Sequence, residues 1–237
     1  MNYVLIFAGG TGQRMNTVSL PKQFLKVHDV PILVHTIRHF QNCSLIDGII
    51  VVSLEEYIPY VFDLKQEYCL DKIIDVIPGG ESGQASIRNG LFYLEKVINK
   101  DDIVLIHDGV RPLINEETIV NNIKCVLEKG NAITTTKSTE TVLISKDDNV
   151  NEIVDRSLCQ YGRAPQSFYF KDILSAHKKA LKDNLSFIDS ACLMEHYGYT
   201  LHSVLGPSCN IKITTPIDYF IFKAIIEQKE NEQIKFL

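Results

Sequence analysis

No apolar run in this sequence approaches the ~18 residues that a membrane-spanning helix requires, so insertion into a bilayer is not expected. Basic charge is scarce as well. The 24 Lys and Arg stand against 29 Asp and Glu, a formal net charge of -5, which argues against a general nucleic-acid binder. Closely spaced cysteine pairs are missing: Cys43, Cys69, Cys125, Cys159, Cys192 and Cys209 are scattered, with no C-x-x-C. That pattern suits reduced structural thiols better than a disulfide frame or a zinc site. The first apolar run, Tyr3–Ala8, has no basic segment ahead of it and is too short for a signal peptide, which leaves a cytoplasmic protein as the expectation. Repeats, low-complexity tracts and linkers are lacking, so residues 1–237 read as one domain with a sizeable core.

What is present is an alternation. Val4–Ala8, Gly48–Ser53, Ile73–Pro78, Ile103–His107 and Ala132–Thr136 are short β-branched runs that read as strands. Between them Pro31–Gln41, Gln84–Ile98 and Asn115–Lys129 carry apolar residues at helical spacing, with Ile87, Leu91, Leu94 and Val97/Ile98 on one face. Strands of continuous apolar residues separated by helices predict a doubly wound, mostly parallel α/β sheet. Residues 134–156 break the rhythm as two strands around the polar turn Lys146-Asp-Asp-Asn149. Two readings stay open there, a protruding arm and an ordinary antiparallel edge.

The first chemical signal is Ala8-Gly-Gly-Thr-Gly-Gln-Arg-Met15, directly after the first strand. Glycines let a backbone approach an anion closely, and successive N–H groups cradle phosphate. A P-loop would end in Gly-Lys-Ser/Thr, which is absent. A dinucleotide fingerprint would place a third glycine where Met15 stands. A glycine turn without a ligand remains the bland alternative. Arg14 and the following Pro21-Lys22-Gln23 sharpen the signal, because a forked donor and a point charge then meet one phosphate chain. Ser86, opening a helix, is either a donor to nucleotide at a helix N-terminus or a simple N-cap. Asp108 ends a buried strand on the carboxyl edge, where open α/β sheets bind ligands and a carboxylate meets a metal or a ribose. Lys212, between Ile211 and Ile213, should point away from both neighbours, toward an anion or solvent.

Together these segments resemble the cytidylyltransferases that act on methylerythritol phosphate and ribitol phosphate. The glycine loop with Pro21-Lys-Gln-Phe-Leu25 is followed in order by Gly79-Gly-Glu-Ser-Gly-Gln-Ala-Ser-Ile-Arg-Asn-Gly90, His107-Asp-Gly-Val-Arg-Pro112, Ala164-Pro-Gln-Ser-Phe168 and Asn210-Ile-Lys-Ile-Thr214. The resemblance implies a Rossmann-like, GT-A-like nucleotidyltransferase fold with an inserted hairpin. It assigns Ala8, Gly9, Gly10, Gly12, Gly80, Ser86, Asp108 and Gly109 to the nucleotide and Arg14, Lys22 and Lys212 to the reacting phosphates. Asp108 would also hold Mg²⁺. Arg111 would bind substrate, with a structural ion pair to Asp108 as its alternative. Thr141 and Arg156 would reach across a homodimer to the partner's substrate, with plain surface exposure as theirs.

The same resemblance implies transfer of CMP from CTP to an alditol phosphate, by in-line attack on the α-phosphorus with no covalent nucleophile. Two departures stand out. Gly162-Arg163-Ala164-Pro165-Gln166 replaces Gln-Thr-Pro-Gln, so a hydroxyl for the substrate phosphate is gone and either Arg163 substitutes or the substrate sits differently. Cys209 precedes Asn210 where a carboxylate is usual. Val110, Glu140-Thr-Val-Leu143 and Tyr161-Gly162 lie closer to the ribitol phosphate branch than to the methylerythritol phosphate branch, which is the second reading. A non-catalytic nucleotide-binding relative is the third, and the presence of Arg14 and Lys22 speaks against it.

Overall fold

The computed structural model describes residues 1–10 and 20–229. Gly12 and Arg14, two expected site residues, therefore lie outside the described residues. The chain opens with β1 (Asn2–Ala8), a 3-10 turn (Lys22–Phe24) and the short pair β2 (Lys26–Val27) and β3 (Val30–Pro31). Helices and strands then alternate through α1 (Ile32–Asn42), β4 (Gly48–Ser53), α2 (Ile58–Glu67), β5 (Ile73–Pro78), α3 (Gly83–Leu94), β6 (Ile103–Asp108), α4 (Glu116–Lys129) and β7 (Asn131–Lys137). After β8 (Val142–Lys146) and β9 (Asn149–Val154) come β10 (Gln160–Tyr169), α5 (Phe170–Asp183), α6 (Ser190–His196), β11 (Ser203–Leu205) and α7 (Pro216–Lys229).

A seven-stranded sheet runs in the order β11-β7-β10-β6-β1-β4-β5, with β10 antiparallel to both its neighbours and every other pairing parallel. The central parallel strands β1, β4 and β6 are apolar on both faces because helices cover both. Val4 and Ile6 of β1 join Ile49, Val51 and Leu105 under α1, α2 and α4, whereas Leu5 joins Ile50, Val52, Val104 and Ile106 under α3, α5 and α6. Gly90 is what lets α3 lie so close to β1, since a Cβ there would stand 2.3 Å from Leu5 Cδ1. Cap chemistry sets the helix starts: Asn115 accepts from Thr118 N–H and Ser82 from Ala85 N–H. Among the described residues no helix is long and apolar enough to cross a membrane.

Two expectations are corrected, and of the two readings of the hairpin the edge is excluded. Residues 134–137 do not belong to the hairpin, because Thr134, Thr135 and Thr136 are buried within β7 of the central sheet. The hairpin proper, β8–β9, is a separate two-stranded sheet rather than an edge of the large one. The helix expected to reach Ile98 ends at Leu94, and Val97 is exposed beyond it.

Candidate active site

The carboxyl ends of the parallel strands β1 and β6, with the loops beyond β4 and β5, surround a cleft of about 690 Å³. Ala8, Gly9 and Gly10 form its floor and Lys22 stands on its wall. A residue that sequence reasoning passed over holds this floor in place. Gln23, fully buried, donates from Nε2 to the carbonyls of Ala8 (2.6 Å) and Gly10 (3.3 Å). The only sequence signal for it was its place beside Lys22 in the Pro-Lys-Gln segment.

Opposite the floor lies the N-terminus of α3, whose free amides and dipole favour an anion. Ser82, not Ser86, is its N-cap. The buried Ser86 hydroxyl accepts from Gly80 N–H at 3.0 Å and donates to the Ser82 carbonyl at 2.9 Å. It lines the cleft, but its hydrogen bonds shape the Gly79–Ser82 turn. Gly109, expected on the nucleotide, is not among the residues that line the large cleft or the cavity beside it. Its N–H goes to the Phe7 carbonyl and a Cβ would stand 2.8 Å from Ala8 Cβ, so it serves the close approach of β6 and β1.

Asp108 is the electrostatic centre. Its Oδ2 accepts from Arg111 Nε at 2.7 Å and its Oδ1 lies 2.5 Å from Lys212 Nζ. Burial alone would raise this carboxyl, but the two cations outweigh it and hold it well below the usual carboxylate range. The group is therefore ionised, and the cluster carries one surplus positive charge. Arg111 is buried and also donates to the Asn210 carbonyl at 3.1 Å. Asn210, wholly buried, donates in turn to the Ala164 carbonyl at 2.8 Å, which ties the last motif to β10. So the structural pair foreseen as the alternative for Arg111 is present. The sequence-adjacent His107 is buried and pushed down to about 3 by burial; it packs edge-on to Phe40 and is neutral at neutral pH.

Breaking the Arg111 pair should be costly. Arg111→Met leaves a buried carboxylate with one half-exposed partner, and unfolding free energy should drop by about 3–5 kcal/mol in urea titration. A loss below about 1 kcal/mol would mean that Lys212 alone suffices for Asp108.

Lys212 is placed by its neighbours rather than by strand alternation. The segment 211–214 is irregular, with Ile213 fully buried and its N–H bonded to the Val110 carbonyl. Lys212 and Asp108 line the large cleft and also a second cavity of about 190 Å³ beside it. Thr141 and Arg156 are not brought to either cavity. Both are exposed near the hairpin, where Arg156 Nη1 donates to the Thr139 carbonyl at 3.1 Å. Among the described residues no group of three His, Cys, Asp or Glu could hold a metal ion by itself.

Amide donors and lysines gather at the sheet's carboxyl edge, with no activated nucleophile beside them among the described residues. That combination of fold and site is a nucleotidyltransferase. Residues 2–228 match the IspD family, 2-C-methyl-D-erythritol 4-phosphate cytidylyltransferase, and the chain belongs to that family. It is 49% identical over 236 residues to the ribitol-5-phosphate cytidylyltransferase of Vibrio parahaemolyticus, covering 99% of each chain. It is 36% identical to the 2-C-methyl-D-erythritol 4-phosphate cytidylyltransferase of Syntrophus aciditrophicus, over 96% of each. The crystal structure of 4-diphosphocytidyl-2C-methyl-D-erythritol synthase from Anaerococcus prevotii superposes with a TM-score of 0.82 at 29% identity, covering 95% of this chain and 96% of that one.

Proposed function

We propose that the protein transfers CMP from CTP to D-ribitol 5-phosphate, forming CDP-ribitol and releasing pyrophosphate. The observation that carries the chemistry is the Asp108–Lys212 pair, shared by the large cleft and the adjoining cavity. One lysine can then touch both the α-phosphate of the nucleotide and the attacking phosphate of the acceptor. The choice of ribitol phosphate is supported by the full-length similarity at 49% identity to an enzyme of that name, against 36% to one named for methylerythritol phosphate.

In this reading the triphosphate lies along Gly9, Gly10 and the α3 N-terminus, with Lys22 and Lys212 around it; Gly12 and Arg14, expected to serve it too, lie outside the described residues. An oxygen of the acceptor phosphate attacks the α-phosphorus, the bond to the β-phosphate oxygen breaks, and pyrophosphate leaves. Proton transfer is not needed, since the attacking oxygen is already anionic. Catalysis is positioning and neutralisation of crowded negative charge. Mg²⁺ fits the residues as an ion brought with the triphosphate. Asp108 is ionised and each of its oxygens, with one cation contact, keeps a free lone pair, while position 209 offers a thiol instead of a second carboxylate. When bound, the ion would supply further charge neutralisation on the phosphate oxygens.

The reading includes a homodimer formed through the arm. An isolated two-stranded hairpin is marginal in water, yet β8–β9 exposes Leu143, Ile144, Val150 and Ile153, which a second copy would cover. Arg156 and Thr141 would then serve the partner's cavity. The enzymatic reading is tested by pyrophosphate release from CTP with ribitol 5-phosphate, methylerythritol phosphate and glycerol 3-phosphate as acceptors. Turnover with ribitol 5-phosphate should exceed the others at least ~10-fold in kcat/KM, about 1.4 kcal/mol of discrimination. Preference for methylerythritol phosphate would transfer the assignment to the second reading, and release from no acceptor would leave a nucleotide-binding relative.

A further inference from the structure

The cavity beside the nucleotide cleft carries two features that the reaction as derived so far does not use. One is Arg163. Between the pairs Gly162–Thr135 and Gln166–Ile133, three residues of β10 stand opposite Thr134 alone on β7. Such a bulge re-aims side chains, and bulges collect beside active sites. Here it turns the Arg163 guanidinium into the cavity wall, half-buried, with Nε donating to Thr136 Oγ1 at 3.2 Å and the Tyr161 ring 5.8 Å away. Among the described residues no carboxylate pairs with it. Burial, and after it the like charge of the Arg111 guanidinium, push Arg163 below its usual range. A half-buried cation facing like charge is costly unless an anion joins it. The adjacent Ala164 has no side-chain donor, and its carbonyl is taken by Asn210.

The other feature is His177, from α5, at the buried end of the same cavity beside Ile87 and Ile106. Its side chain is 1% exposed, and neither ring nitrogen has a hydrogen-bond partner among the described residues. Burial pushes it down to about 4, so at neutral pH it offers one donor and one acceptor. A hydroxyl group, which also gives and takes one hydrogen bond, is its chemical complement. An apolar core would be served better by leucine at that position.

We propose that Arg163 binds the phosphate of the acceptor and that His177 hydrogen-bonds the hydroxyl chain running inward from it, so that the two set which polyol phosphate is taken. The inference rests on the function proposed above and extends it to residues outside the Asp108 cluster. The roles are binding and specificity, and neither residue acts on the reacting bond.

The test measures binding and turnover on wild type, Arg163→Ala, Arg163→Lys and His177→Leu, each checked for folding by thermal melting. Arg163→Ala should raise KM for ribitol 5-phosphate about 10- to 100-fold, the scale of a lost charge-assisted hydrogen bond, with KM for CTP within about twofold. Arg163→Lys should recover part of that loss, which a packing role would not predict. His177→Leu should melt no lower than wild type, yet raise KM for ribitol 5-phosphate more than KM for glycerol 3-phosphate, whose chain is shorter. Calorimetric titration with inorganic phosphate separates this idea from the activity. If wild type turned over no acceptor but bound phosphate, and Arg163→Ala abolished that binding, the proposed function would fall and the anion site would stand. Unchanged phosphate binding and unchanged acceptor KM in both Arg163 variants would overturn the assignment of Arg163. A His177→Leu protein with parallel KM changes for long and short acceptors would overturn that of His177.

Discussion

Lys212→Ala should lower turnover at saturating substrates by roughly 100- to 1000-fold, the scale of one preorganised electrostatic contact removed from a transition state. The fold should survive, and the reason lies in how the cluster shares its charge. Asp108 keeps the buried Arg111, bonded at 2.7 Å, when Lys212 is removed. Lys212 itself is more than a third exposed and needs no replacement partner, so its loss uncovers no orphan charge. Arg111→Met has the opposite profile, a large stability cost because the stranded group is buried. The two substitutions thus separate holding Asp108 from stabilising the phosphates. Steady-state pyrophosphate release and urea unfolding on both proteins measure the difference. Wild-type turnover in a folded Lys212→Ala protein would remove that lysine from the reaction.

The legible part of the architecture was the part with period and continuity. Gly48–Ser53, buried at every position, and the flanking runs were recognisable as parallel strands because helices cover both their faces. β10 was not legible. Gly162 and Pro165 interrupt its run, and proline marks a strand as an edge or a bulge, yet β10 lies inside the sheet and absorbs the proline in its bulge. The site showed the same division. The residues proposed to contact phosphate carry charge or lie in glycine turns, and those signals are local in sequence. Gln23, Asn210 and Ser82 hold the loops by hydrogen bonds to backbone, and His177 meets the cavity from a helix whose apolar face it shares. The partners of Gln23 and Asn210 lie 15 and 46 residues away, so spacing along the chain says nothing about them. The N-cap alternative for Ser86 fails for a related reason. Ser82 and Ser86 are one turn apart, and only the coordinates distinguish the cap from the residue that ties the turn.

Two impaired proteins, Lys22→Ala and Arg156→Ala, should regain activity when mixed and allowed to exchange subunits. Lys22 lines the cleft of its own chain, whereas Arg156 lies by the arm and lines neither cavity of its own chain. If the arm crosses to a partner, each complete site combines Lys22 of one chain with Arg156 of the other. A heterodimer of the two variants then contains one site with both defects and one with neither. Random reassortment makes half of the dimers mixed, so about a quarter of all sites should be intact under closed two-fold symmetry. Each variant alone should lose at least ~10-fold, Arg156→Ala chiefly through KM for the alditol phosphate and Lys22→Ala chiefly through turnover. Exchange is followed independently by native mass spectrometry of a tagged and an untagged chain. Recovery toward a quarter of wild-type activity identifies Arg156 as a residue of the neighbouring site. Complete exchange without recovery would assign Arg156 to its own subunit or to no site, and the arm would then join two copies without completing either active site.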